Sequence, residues 1–169
     1  IMEDNIPAGF IHFTGNGIDK IIHPTDNRTN MKYRLLPFNR GIISELFTEE
    51  QKDVAIEKIN KYLKHPDGVR LMDNTVPYKG GNNTYFTRAE TAANFGREIG
   101  LQYCHAHIRY CEALAKIGDS KELYKGLLTI QPISVNMNVK NALPRQRHSY
   151  FSSSDGNFLN RYEAMANFD

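Results

Sequence analysis

Leu101-Gln102-Tyr103-Cys104-His105-Ala106-His107-Ile108-Arg109-Tyr110-Cys111-Glu112-Ala113-Leu114-Ala115-Lys116 is the stretch whose reading decides the fold. Its apolar positions recur at helical spacing and predict one long helix. Ala106, Ile108, Tyr110, Ala113, Leu114 and Ile117 lie around the helix rather than along one stripe, which predicts burial on most sides. Gly118 is a suitable C-terminal stop. Asp119 or Ser120 then caps a second helix, with Leu123, Tyr124, Leu127 and Leu128 as its apolar face, and Pro132 ends it. Two helices joined at Gly118 make an antiparallel αα-hairpin.

Upstream, Thr48-Glu49-Glu50-Gln51 fits a capping box with acids in the first turn. Val54, Ala55, Ile59, Tyr62 and Leu63 continue that helix until His65-Pro66-Asp67-Gly68 ends it. Gly41 to Phe47 reads as a short helix, and Val69 to Met72 as a short extended piece. Residues 1–40, rich in Gly, Pro, Asn and Asp, read as long ordered loops. Phe10 to Phe13 and Ile21-Ile22 are the two pieces there that could be extended. Residues 73–87 and 131–160 also read as loops. The chain is therefore expected to be all-α, with helical hairpins separated by long polar loops that carry the chemistry.

Composition narrows the function classes. The 169 residues are 40% hydrophobic and 24% charged, with a net charge of +2. That suits one soluble globular domain or part of one. The basic residues are scattered, so no nucleic-acid reader is expected. No apolar run is long enough to span a bilayer, and no membrane partner is expected. Cys104 and Cys111 lie about two helical turns apart, too far for a disulfide, and free thiols suit a reducing, cytoplasmic setting. The chain opens at Ile1 and stops within an apparent helix, so we expect a fragment of a longer polypeptide.

Several groups could carry chemistry. Arg97, Glu98, Gln102 and His105 lie at the start of the long helix, where unsatisfied backbone N–H groups favour anions. A histidine and an arginine there can hold phosphate or carboxylate, and Glu98 and Gln102 can bond sugar hydroxyls. The competing reading makes His105 a buried core histidine and Arg97–Glu98 a solvated pair. Cys104, His107 and Cys111 share a helical face, but no fourth ligand accompanies them, and core packing is expected rather than a metal. His105 and His107 point to opposite sides of the helix. Ser152, Ser153, Ser154 and Asp155 form a polar turn without a nucleophile elbow. Arg145, Arg147 and His148 form a small basic patch beside it. Asp26, Arg28, Arg34 and Arg40 in the early region read either as functional charges or as solvated surface.

Three stretches together carry a family resemblance. They are His23-Pro24-Thr25-Asp26 with Tyr33-Arg34-Leu35-Leu36-Pro37, then Arg88 through Tyr103 running into Cys104-His105-Ala106-His107, and then Tyr150-Phe151-Ser152-Ser153-Ser154-Asp155 with Arg161-Tyr162-Glu163. The chain resembles the C-terminal part of the catalytic domain of inverting glycoside phosphorylases of glycoside hydrolase family 94. Within that family it is most similar to the branches that act on β-1,2-glucans, the 1,2-β-oligoglucan phosphorylases and the phosphorylase-like part of cyclic β-1,2-glucan synthases.

The resemblance implies the C-terminal portion of an (α/α)6 toroid. It also implies inorganic phosphate as co-substrate, with no other cofactor, and a β-linked glucooligosaccharide as partner. The family motif Arg/Lys-Glu-x-Gly-x-Gln-Tyr-x-His falls on Arg97 to His105. It implies that Glu98, with Arg97 and Gln102, contacts sugar, and that His105 contacts phosphate. Ser153, Ser154 and Arg147 would assist at the phosphate by analogy. The family's general-acid Asp and its N-terminal β-sandwich are not matched in this chain. Catalysis is thus expected only together with the remainder of the same polypeptide, which could also form a homodimer. The alternatives are a phosphate-independent glycoside hydrolase or glucan-synthase accessory domain and, from another class, a non-catalytic helical interaction module.

Overall fold

The computed structural model describes residues 1–74, 85–86, 103–131 and 137–138. Six short strands and four helices are formed among them. Strands β1 (Met2–Glu3) and β2 (Ile6–Pro7) pair antiparallel around Asp4 and Asn5, both at positive φ. Asp and Asn tolerate that left-handed backbone better than most residues, so the pair closes a tight turn. Strands β3 (Phe10–Thr14) and β4 (Gly17–Ile21) form a longer hairpin closed by Gly15-Asn16, with His12 opposite Asp19 and Phe13 opposite Ile18. Strands β5 (Lys64–His65) and β6 (Gly68–Val69) form a third hairpin around Pro66-Asp67.

These hairpins correct the expected fold class. The chain is mixed α/β, not an all-α portion of a toroid. The turn formers that read as loop punctuation close strand pairs. The strands are too short, and the outer hairpin too exposed, to leave a clean alternation of apolar and polar residues in the sequence.

Helix α1 spans Leu35–Ile43 and so begins well before the expected Gly41. Pro37 lies in its first turn, where a missing N–H costs no helical hydrogen bond. Helix α2 (Glu49–Lys58) has the expected capping box: Thr48 accepts from the Gln51 backbone and Gln51 accepts from the Thr48 backbone. A π-helical turn, Ile59–Leu63, continues α2 into β5. Helix α3 (Cys104–Ile117) ends at Gly118, whose φ of +80° needs no strain from glycine. Asp119 then caps helix α4 (Ser120–Thr129) by accepting from the Glu122 N–H, which completes the αα-hairpin.

One core joins these elements. Leu35, Phe38 and Ile42 of α1 pack with Ala106, Tyr110, Ala113 and Leu114 of α3, and Ala55, Ile59 and Leu63 close it from the other side. Ile21, Ile22 and Met31 bring the N-terminal region into the same core. The expectation that α3 is buried on most sides is not met. Its buried residues form one stripe, and Ile108 is 49% exposed. The apolar face expected for α4 is also outward: Tyr124, Leu127 and Leu128 are exposed, and only Gly126 is buried.

Candidate functional site

The start of α3 is built by a change of backbone. Tyr103, the N-cap, is extended at φ −109° and ψ 115° and makes no side-chain cap hydrogen bond. Its carbonyl accepts the His107 N–H at 3.0 Å. His105 therefore sits in the first turn of a helix that lacks a side-chain cap, where the helix dipole favours an anion. The His105 ring is exposed and lies 6.0 Å from the Tyr103 ring, centroid to centroid. Among the described residues, His105 therefore does not pack in the core.

The core histidine is His107. Its Nδ1 accepts the Val69 N–H at 3.0 Å, and its Nε2 donates to the Gly126 carbonyl at 2.9 Å. These two bonds fix the tautomer and tie α3 to both β6 and α4. Burial pulls its pKa down, and the bond to the Gly126 carbonyl opposes that only partly. With both ring nitrogens held by backbone, His107 has no lone pair to offer a metal. Cys111 is buried beside it, and burial pushes its thiol up to about 11, so it is not a reactive thiolate. Among the described residues, no group of three or more His, Cys, Asp or Glu side chains is placed to hold a metal ion.

The early charges divide by role. Asp26 is a structural carboxylate. It accepts from the Ile22 N–H at 3.0 Å, the Arg28 N–H at 2.9 Å and the Thr29 hydroxyl at 2.5 Å. Burial works against its charge, yet these donors hold its pKa below the usual value. Ile22 sits at φ +56°, a region that β-branched residues avoid, and Asp26 holds the chain there. His23 is fully buried; its Nε2 donates to the Glu3 carbonyl and its Nδ1 accepts from Thr25. His23-Pro24-Thr25-Asp26 is thus a folded corner rather than a reactive group. Arg34 donates to the Gly9 carbonyl at 2.7 Å, and Arg40 lies exposed in the last turn of α1.

Arg28 belongs to a surface cluster that sequence reading missed. It pairs with Asp19, which also lies 3.7 Å from His12, and its guanidinium sits 6.0 Å from the Tyr85 ring centre. His12 packs edge-on to Tyr85, and Phe10 edge-on to Phe86. The bond from Arg28 holds the Asp19 pKa down. Only the β3–β4 register brings His12 and Asp19 together, and no strand pairing was read from the sequence there. The fully buried pair Asp67–Arg70, 3.1 Å apart, was also not singled out as a pair. Arg97, Glu98, Gln102, Arg147, Ser153 and Ser154 lie outside the described residues.

No family model matches the chain. Over 167 residues, 98% of its length, the chain is 54% identical to a 1,2-beta-oligoglucan phosphorylase of Listeria innocua serovar 6a. It spans 15% of the length of that relative. The similarity bears out the resemblance to the β-1,2-glucan branch of the phosphorylases.

Proposed function

We propose that this chain is one segment of a glycoside phosphorylase that cleaves a β-1,2-linked glucooligosaccharide with inorganic phosphate. The observation that carries the reading is its 54% identity, over nearly its whole length, to a phosphorylase of that name. The exposed His105 at the start of α3 is consistent with it, since this is where a phosphate dianion would gain from the helix dipole and a donor side chain.

In this reading phosphate attacks the anomeric carbon from the face opposite the leaving group. The configuration inverts and α-glucose 1-phosphate forms. The nucleophile is already an anion, so the protein must cradle charge rather than supply a general base. His105 binds phosphate, with Ser153, Ser154 and Arg147 assisting. Glu98, with Arg97 and Gln102, orients the sugar. The general acid that protonates the leaving oxygen lies on another part of the full-length polypeptide. Neither a metal nor an organic cofactor has a step to perform.

Product analysis of the full-length polypeptide tests this. Incubation of a β-1,2-glucooligosaccharide with phosphate should give α-glucose 1-phosphate, and omission of phosphate should abolish cleavage. Release of free glucose at equal rate without phosphate would make the protein a hydrolase. Glu98→Gln should raise KM for the oligosaccharide far more than KM for phosphate, because it removes a sugar contact.

A further inference from the structure

Helix α4 turns most of its apolar side away from α3. Only Gly126 is buried, where its carbonyl meets the His107 ring. Tyr124 stands two positions before Gly126, about 200° around the helix, and so points almost directly outward. Leu127 and Leu128 follow it at three- and four-residue steps and form one stripe with it. Tyr124 is 65% exposed, Leu127 45% and Leu128 37%. Met137 is more exposed still and lines the same cleft as Leu128, so it carries the apolar surface past the end of α4. Lys121 and Lys125, both exposed, stand on the flank of the stripe.

A surface helix puts its apolar stripe against a neighbour and its charges on the other side. Helix α4 does so only in part: Leu123 packs against the core, and the rest of the stripe faces out. An apolar patch with a charged rim is the form of an interface. A second copy of the chain or another part of the same polypeptide could complete it, and size decides between them. The ten residues of α4 give a face about 15 Å long and about 10 Å wide, on the order of 150 Å². Stable association of separate chains buries about 800 Å² on each partner. The stripe is therefore too small to hold a second copy by itself. A tethered segment has no such requirement, because the tether supplies an effective concentration of the order of millimolar. The chain spans 15% of the length of its phosphorylase relative, so a polypeptide of that length has ample chain for the second half.

We propose that the outward face of α4, from Tyr124 through Leu127 and Leu128 to Met137, is an internal docking surface. In the full-length polypeptide it is covered by a helix from outside these 169 residues. The spacing of Tyr124, Leu127 and Leu128 forms a ridge that seats in the groove of a facing helix. The occupant presents an apolar stripe, with a carboxylate opposite Lys121. The inference rests on the chain's being one segment of a longer polypeptide, and not on the chemistry of that polypeptide.

Hydroxyl-radical footprinting of the full-length parent, read by mass spectrometry, tests it without substitution, phosphate or sugar. Tyr124 should be oxidised about fivefold or more slowly in the native polypeptide than in urea, where the docking is lost. A smaller protection is what its exposure in this structure leaves, and would overturn the proposal. A photo-activated cross-linker on the thiol introduced by Leu127→Cys then identifies the occupant, with peptide mapping to separate that thiol from Cys104 and Cys111. Cross-links to peptides outside residues 1–169, independent of protein concentration, are expected. Cross-links to residues 132–169, or to a second copy in proportion to protein concentration, would overturn it. Protection of Tyr124 in a polypeptide that shows no phosphorolysis would uphold this inference and remove the phosphorolytic reading alone.

Discussion

A methyl group added at Gly126 would stand 2.9 Å from Cys111 Sγ and 3.6 Å from His107 Nε2. Glycine there lets α4 approach α3 closely enough for the Gly126 carbonyl to reach the His107 ring. Gly126→Ala should therefore cost about 1–3 kcal/mol, the usual penalty for overpacking, seen as a lower urea midpoint. An unchanged midpoint would show that the helices can move apart freely. His107 also makes stability depend on pH. Its folded pKa lies below the value of 6.5 that it has when exposed, so the unfolded chain binds the extra proton. The contribution is complete above that value and is lost as pH falls through it towards the lowered folded value. The urea midpoint should thus fall as pH is lowered through 6.5, and His107→Gln should flatten that fall. Asp26→Asn should cost about 3 kcal/mol, because it weakens acceptors for three donors and releases the strained Ile22; thermal unfolding would show it. The sequence did reveal that His105 and His107 face opposite ways. It did not reveal which one faces the core, because that depends on where α1 and the β5–β6 hairpin pack.

Elements stabilised by near neighbours were legible in the sequence, and those stabilised by distant contacts were not. The Thr48 box, the Gly118 stop and the Asp119 cap each depend on residues within about one turn, and each is found. Thr48→Ala should lower stability by about 1 kcal/mol, and a Thr48→Ser replacement should restore most of it in the same unfolding measurement. Helix α1 was misplaced because Pro37 reads as a breaker, although in a first turn it breaks nothing. Phe10 to Phe13, expected as a piece that could be extended, lies in β3, but its pairing with β4 was not legible because Phe10, Phe13 and Ile18 are exposed and no inward face declares itself. The outward apolar residues of α4 have the same origin: periodicity identifies an apolar face but not whether the chain itself covers it.

Across the whole molecule, the core is continuous from the N-terminal hairpins to α3, while the chain spans 15% of its phosphorylase relative. The candidate site was legible mainly through family resemblance. Of its residues, His105 is the one the structure places, at the uncapped and exposed start of α3. If the general acid is supplied from elsewhere in the polypeptide, the 169-residue chain should show no phosphorolysis alone, and the full-length polypeptide should. The most direct test of the account is initial rate against inorganic phosphate concentration for the full-length parent and its His105→Ala variant, with β-1,2-glucooligosaccharide saturating. The account predicts saturation by phosphate in the parent. In the variant it predicts a fall of about a hundredfold or more in kcat/KM for phosphate, with oligosaccharide binding retained. Equal phosphate dependence in the two proteins would contradict it.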